Sequence, residues 1–139
     1  ESLEGAIEIY AADATPLQIA AAHRDAGAAF EALSQLERFA EPRLNQAVEA
    51  YRNAVAALDG KATPQLWAQV ELDLGRVLYV LGLETGAERM LAESLAVEQA
   101  ALEVLRGLGD TALTTFVEDS LAEKAAHLER LRRGAQLRR

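Results

Sequence analysis

Asp119, Glu123 and His127 recur at intervals of four residues, so on a helix two carboxylates and an imidazole share one face. Oxygen and nitrogen donors placed this way could hold a divalent cation. No second ligand pair stands elsewhere to complete a coordination sphere, so a solvated helix face is the simpler reading and no metal is expected. The remaining reactive side chains are isolated. The chain has no cysteine, which removes thiolate chemistry and disulfides and argues against a disulfide-stapled secreted fold. Its four serines have no histidine and acid in a recognisable nucleophile arrangement, and no glycine-rich phosphate loop follows a strand, because there is no convincing strand pattern. No catalytic residue and no cofactor follow from these residues. The chain reads as noncatalytic.

The elements that must position such side chains are clearest from Thr63 to Leu105. Thr63 can cap a helix and Pro64 can occupy its first turn, where a missing N–H costs nothing. Trp67, Val70, Leu74, Val77, Leu78 and Leu81 then recur every three or four residues as one apolar stripe. Trp67 could stack on a ligand, but its register places it in that stripe and hence in the core. Gly75 interrupts the run at a cost of about 1 kcal/mol against alanine, which marks a close approach by a neighbouring helix. Gly82 is the expected helix end. After Gly86 a second apolar series runs through Met90, Leu91, Leu95, Ala101, Leu102 and Leu105, and the two helices should pack antiparallel.

Shifting the chain by 48 residues lays Thr15 and Pro16 on Thr63 and Pro64, Ile19 on Trp67, Gly27 on Gly75, Phe30 on Leu78 and Leu33 on Leu81. A shift of 47 lays Leu44, Ala47, Val48, Ala54, Val55 and Leu58 on Leu91, Ser94, Leu95, Ala101, Leu102 and Leu105. A fixed period of this size indicates stacked helix pairs, each unable to bury its apolar face without a neighbour. Trp67-Ala68, Asp73-Leu74-Gly75, Leu78, Leu81-Gly82, Leu91 and Ala101-Leu102 resemble the tetratricopeptide repeat in its longer bacterial form. The first unit keeps Gly27, Leu44, Ala47, Tyr51 and Ala54, with Ile19 for the tryptophan and Ala26 for the leucine before glycine. The resemblance covers roughly residues 15 to 105. It implies an all-α, right-handed superhelical α-solenoid of antiparallel helix hairpins.

The resemblance also implies a module that receives a peptide or protein in a concave groove lined by the first helices of successive units. Carried over by position, the groove residues are Arg24, Ala28 and Glu31 in the first unit and Leu72, Arg76, Tyr79 and Val80 in the second, with Asp119, Glu123 and His127 added by a third helix. Arg24 and Arg76 could hold carboxylates, while Tyr79 and Leu72 offer apolar contact. The family's carboxylate-clamp version is not matched, because Ala28 and Arg76 stand where asparagines would. His23, in AAHRDAGAAF, faintly resembles the helix around a phosphotransfer histidine. Ala26 replaces the lysine of that pattern, and Gly27 is better explained by its repeat partner Gly75. His23 is read as an ordinary helix histidine. The alternative to a groove-binding module is a scaffold that self-associates through exposed helix ends.

Taken in order, the expected units are a partial helix of a preceding repeat over 1–13, repeats over 15–60 and 63–107, a capping helix over 110–133 and a basic tail over 134–139. The first long helix should run from 16 to about 39, and Pro42 should start its return helix. At the shift of 48, Ala6, Ile7 and Tyr10 fall on Ala54, Val55 and Leu58, and the chain starts at Glu1 without methionine, so further repeats upstream are expected. Asp110 can cap the last helix, along which Leu113, Phe116, Val117, Leu121, Ala125, Leu128 and Leu131 form its stripe. Its outer face should be polar, because no further repeat covers it.

At 139 residues the chain is one domain by length, with 29 alanines, 22 leucines and three prolines, a helical composition. No apolar run reaches membrane-spanning length and no signal peptide is visible, from which a cytoplasmic protein is expected. Residues 1–123 carry 8 Lys and Arg against 21 Asp and Glu, a balance of −13, while residues 124–139 carry 6 against 1, a balance of +5. The acidic body would repel a phosphate backbone, so no nucleic-acid partner is expected. The arginine-rich end could grip an acidic partner, RNA or an anionic membrane. It is read instead as cations placed where a helix C-terminus favours them.

Overall fold

A threonine followed by proline sets where the first described helix begins. In the computed structural model, which describes residues 15–138, the Thr15 hydroxyl accepts the Gln18 backbone N–H while the Gln18 side chain accepts that of Thr15. This reciprocal cap opens α1 (Pro16–Leu36). Four further helices follow among the described residues: α2 (Glu41–Ala57), α3 (Pro64–Thr85), α4 (Glu88–Leu108) and α5 (Thr111–Leu137). The described chain is all-helical. The segment expected as a partial preceding helix lies outside the described residues.

Several boundaries differ from the sequence reading. α1 stops at Leu36, so Glu37–Ala40 form the connection to α2. Thr63 does not cap α3; its hydroxyl donates to the Asp59 carbonyl. α3 also passes through Gly82 and ends at Gly86, whose φ of 69° is the left-handed conformation. Gly82 serves packing: a Cβ there would lie 2.7 Å from Leu91 Cδ2. The stretch taken for a basic tail is helical to Leu137. Asp110 does cap α5, accepting the Leu113 N–H at 3.1 Å.

Each helix packs on the next, most closely within the pairs α1/α2 and α3/α4. Gly82 against Leu91 and Gly75 against Glu98 show that α3 and α4 run antiparallel. One core cluster joins α1, α2 and α3 through Phe30, Leu44, Val48, Tyr51, Val70, Leu74, Leu78 and Leu81. A second gathers Ala68, Ala101, Leu102, Leu105 and Val117, with Trp67, Leu72, Leu113 and Leu121 half-buried against it. Trp67 is thus a packing residue. On α5 only Val117 and Leu128 are fully buried, and Phe116, expected in the buried stripe, is 70% exposed. Setting α5 on α3 at the shift of 48 explains why. The positions of α3 that meet α4 include Ala68, Gly75 and Gly82; their counterparts on α5 are Phe116, Glu123 and Arg130, all exposed.

Glu71 is a carboxylate in a buried position of α3, and burial raises its pKa above the ordinary 4.5. A raised acid pKa lets the folded state bind the proton more tightly, so wild-type stability falls as pH climbs from the unfolded carboxylate value through the higher folded one. Glu71→Gln is expected to raise stability at neutral pH by roughly 1 kcal/mol, because it removes a charge that burial disfavours. The gain should vanish below pH 4, where both states of the wild type are protonated. Urea unfolding of the two proteins across pH checks this; a gain that persists at low pH would show that the carboxylate charge is not its cause.

Candidate functional site

Side chains of α1 and α3 meet in step, Arg24 with Asp73 and Glu31 with Arg76, so these helices run the same way and share a face. Arg24 Nε donates to Asp73 Oδ2 at 2.8 Å. Arg76 grips both oxygens of Glu31, at 2.7 and 3.1 Å, and gives its remaining amino group to Asp73 Oδ1 at 3.1 Å. Tyr51 reaches this face from α2 and donates its hydroxyl to Glu31 Oε1. It can do so because Gly27 has no side chain: a Cβ there would lie 2.6 Å from the Tyr51 ring. Burial, then the bond to Glu31, pushes the phenol far above its ordinary value, and the Glu31 carboxylate holds Arg76 more firmly charged. Around the joint lies an open cleft of about 460 Å³, lined also by Asp25, Ala28, Ala32 and Gln35.

The same joint recurs between α3 and α5 with two parts exchanged. At a shift of 48, Gly27 becomes Gly75, Glu31 becomes Tyr79 and Arg76 becomes Lys124; at 47, Tyr51 becomes Glu98. In the first joint the acid sits on the face helix and the tyrosine comes from behind. In the second the tyrosine sits on the face helix and the acid comes from behind. Glu98, 4% exposed, crosses Gly75, where a Cβ would lie 2.5 Å from its Cγ. It accepts Lys124 Nζ at 2.6 Å through Oε1, leaving Oε2 buried without a hydrogen-bond partner. Lys124 Nζ also stands 4.9 Å from the Tyr79 ring centroid. Ser94 completes the approach, donating to the Gly75 carbonyl at 2.6 Å.

The structure therefore brings Arg24, Glu31 and Arg76 together, but as partners of the chain's own acids. Arg24 and Arg76, expected to hold carboxylates, are paired here with Asp73 and Glu31, since α1 and α3 lie close enough for their side chains to meet. Leu72 is turned onto the second core cluster and gives no free apolar contact. Ala28 lines the cleft, and Val80 is 42% exposed on α3. Tyr79 and His127 meet with ring centroids 6.4 Å apart at 59°, while Asp119 and Glu123 are exposed on α5. Among the described residues no group of three or more histidines and acids could hold a metal ion. Burial lowers the pKa of the half-buried His23, which favours its neutral form.

Four residues central to the face, Tyr51, Asp73, Glu98 and Lys124, were absent from the groove positions read in the sequence. The signal for two of them, Tyr51 and Glu98, was present as the exchange of tyrosine and acid between equivalent positions. It becomes legible once the side chains are known to meet. The chain matches no family model, no curated protein and no solved structure.

Proposed function

We propose that this chain is a noncatalytic helical-repeat module, a right-handed solenoid fragment of the tetratricopeptide kind, whose α1, α3 and α5 face binds a peptide or protein segment. The observation that carries the reading is the repeated inter-unit joint. Gly27 and Gly75 each admit a side chain from the helix behind, and each joint gathers an acid, a cation and a tyrosine: Glu31 accepts from both Tyr51 and Arg76 in the first, and Lys124 meets both Glu98 and Tyr79 in the second. Repetition of a joint at a fixed period is what stacked units produce. An open cleft and the exposed Val80 then lie along that face, where recognition by aromatic and apolar anchors is expected.

The reading is tested by capturing partners with the wild-type chain, with Val80→Arg on the proposed face, and with Asn53→Arg on α2 as a folded control. A protein retained by the wild type and the α2 variant but lost with Val80→Arg supports the face. Equal retention by all three overturns it. Self-association is the second reading, favoured by Leu36, Phe39, Leu83 and Leu137, which are exposed at the C-terminal ends of α1, α3 and α5. Sedimentation of the same samples separates the two, because a concentration-dependent dimer abolished by Phe39→Asp would assign this end to a second copy.

A further inference from the structure

We infer that the second joint is a ligand site, in which Tyr79, Lys124, His127 and Arg130 receive the carboxylate of a glutamate or aspartate side chain while Val80 and Leu83 receive an apolar neighbour of that residue. This deepens the face-binding reading and rests on it. The contrast with the first joint is the reason. There the tyrosine hydroxyl goes to Glu31 and the arginine to Glu31 and Asp73, so the strongest donors are consumed by the chain's own carboxylates. Exchanging tyrosine and acid reverses this. Glu98 arrives from behind, buried, and takes a single N–H of Lys124, an ammonium that has three to give. Tyr79 now stands on the face itself, with its phenol end beside α5 rather than spent on an acid of α1.

α5 adds two further groups. His127 packs against the Tyr79 ring, and Arg130 follows it by three residues on the same side of the helix. Arg130 stands close enough that its charge favours the ionised form of Tyr79, against the stronger effect of burial. Its neighbours Arg132 and Arg133 are engaged by Glu88 and Glu129, whereas Arg130 forms no ion pair among the described residues. Asp and Glu are the complementary ligands, since a guanidinium, an ammonium and a phenol all donate and a carboxylate accepts on both oxygens. Val80 and Leu83 are 42% and 48% exposed on α3. Val80 adjoins Tyr79 in the chain and Leu83 lies one turn beyond it, so both offer apolar surface next to that side chain. Glu123, exposed on α5 and acting on Tyr79, opposes an incoming carboxylate, which gives the site a variant that should bind more tightly.

The test is a nuclear magnetic resonance titration of the isotope-labelled chain with three blocked peptides, acetyl-Leu-Glu-Leu-amide and its Gln and Lys counterparts. The readouts are the Arg130 side-chain N–H, the Tyr79 ring and the Val80 methyls. The glutamyl peptide is expected to shift all three saturably, and the glutaminyl peptide to bind about 10-fold more weakly for want of charge. Arg130→Gln, an exposed substitution, should abolish the shifts. Glu123→Gln should tighten binding about 3-fold, the scale of one exposed charge pair. Equal response to the Gln or Lys peptide overturns the carboxylate assignment. Shifts centred on Arg24 and Arg76 overturn this site while leaving the face reading standing. No saturable shift anywhere on α1, α3 or α5 counts against both.

Discussion

Gly27→Ala is expected to destabilise the protein by about 2 kcal/mol, although alanine is the better helix former. Helix propensity alone favours the change by about 1 kcal/mol. Against this, the new Cβ would lie 2.6 to 2.8 Å from three atoms of the Tyr51 ring. Tyr51 is 1% exposed and anchored at its far end by Glu31, so the ring has nowhere to go. Overpacking of this kind costs about 3 kcal/mol when the neighbour cannot yield, which leaves the net loss stated. A change of sign is expected in a second background. With Tyr51→Leu in place the ring is gone, and Gly27→Ala should then stabilise by up to about 1 kcal/mol. Urea unfolding of the four proteins in the cycle measures the coupling. A neutral or stabilising Gly27→Ala in the wild-type background would show slack between α1 and α2 and remove the glycine from the account of how Tyr51 reaches the face.

Lys124→Met is expected to cost about 3 kcal/mol, because it strands Glu98. The carboxylate is 4% exposed, its Oε2 already lacks a hydrogen-bond partner, and Oε1 is held by Lys124. Removing the ammonium leaves a buried acid with no compensating charge. Removing both partners is a different matter: Glu98→Met with Lys124→Met should lie within about 1 kcal/mol of the wild type, since apolar side chains of similar length replace a pair whose attraction is offset by desolvation. A charge pair at the surface, such as Arg52 with Glu93, should contribute far less on the same assay. If Lys124→Met unfolds at nearly the wild-type urea concentration, Glu98 must reach solvent or another partner, and the second joint is not closed from behind.

The two joints also explain the division of labour proposed for the face. The first is internally neutralised and holds α1 to α3. The second ties α5 to α4 through one buried pair, sets Lys124 and His127 against Tyr79 of α3, and leaves donors on the surface. A repeat protein gains recognition in this way without a new element, by exchanging which helix contributes which side chain at equivalent positions. Binding and stability should therefore separate: Arg130→Gln affects the first and Lys124→Met affects both.

Period and helix pattern were legible in the sequence because they depend on local spacing. Thr15 with Pro16, Asp110 ahead of Leu113, and the apolar recurrence from Trp67 to Leu81 fix helices whatever packs on them, and Gly75 marks a close approach because glycine inside a helix otherwise only costs stability. Boundaries that depend on packing were not legible. Gly82 looks like a helix end from its type alone. Leu91, nine residues on, occupies the space a side chain would need, so the glycine stays within α3 and the turn passes to Gly86. The face shows the same limit. Arg24 and Arg76 read as free cations because Asp73 is 49 residues from one, and Glu31 is 45 from the other, and no local pattern signals that they meet. Tyr51 was read only as a repeat position of a second helix, and Glu98 was not singled out. Only the stacking of the helices, with two glycines opening the way between them, decides that both side chains reach the groups of the shared face from behind and which donors remain there for a ligand.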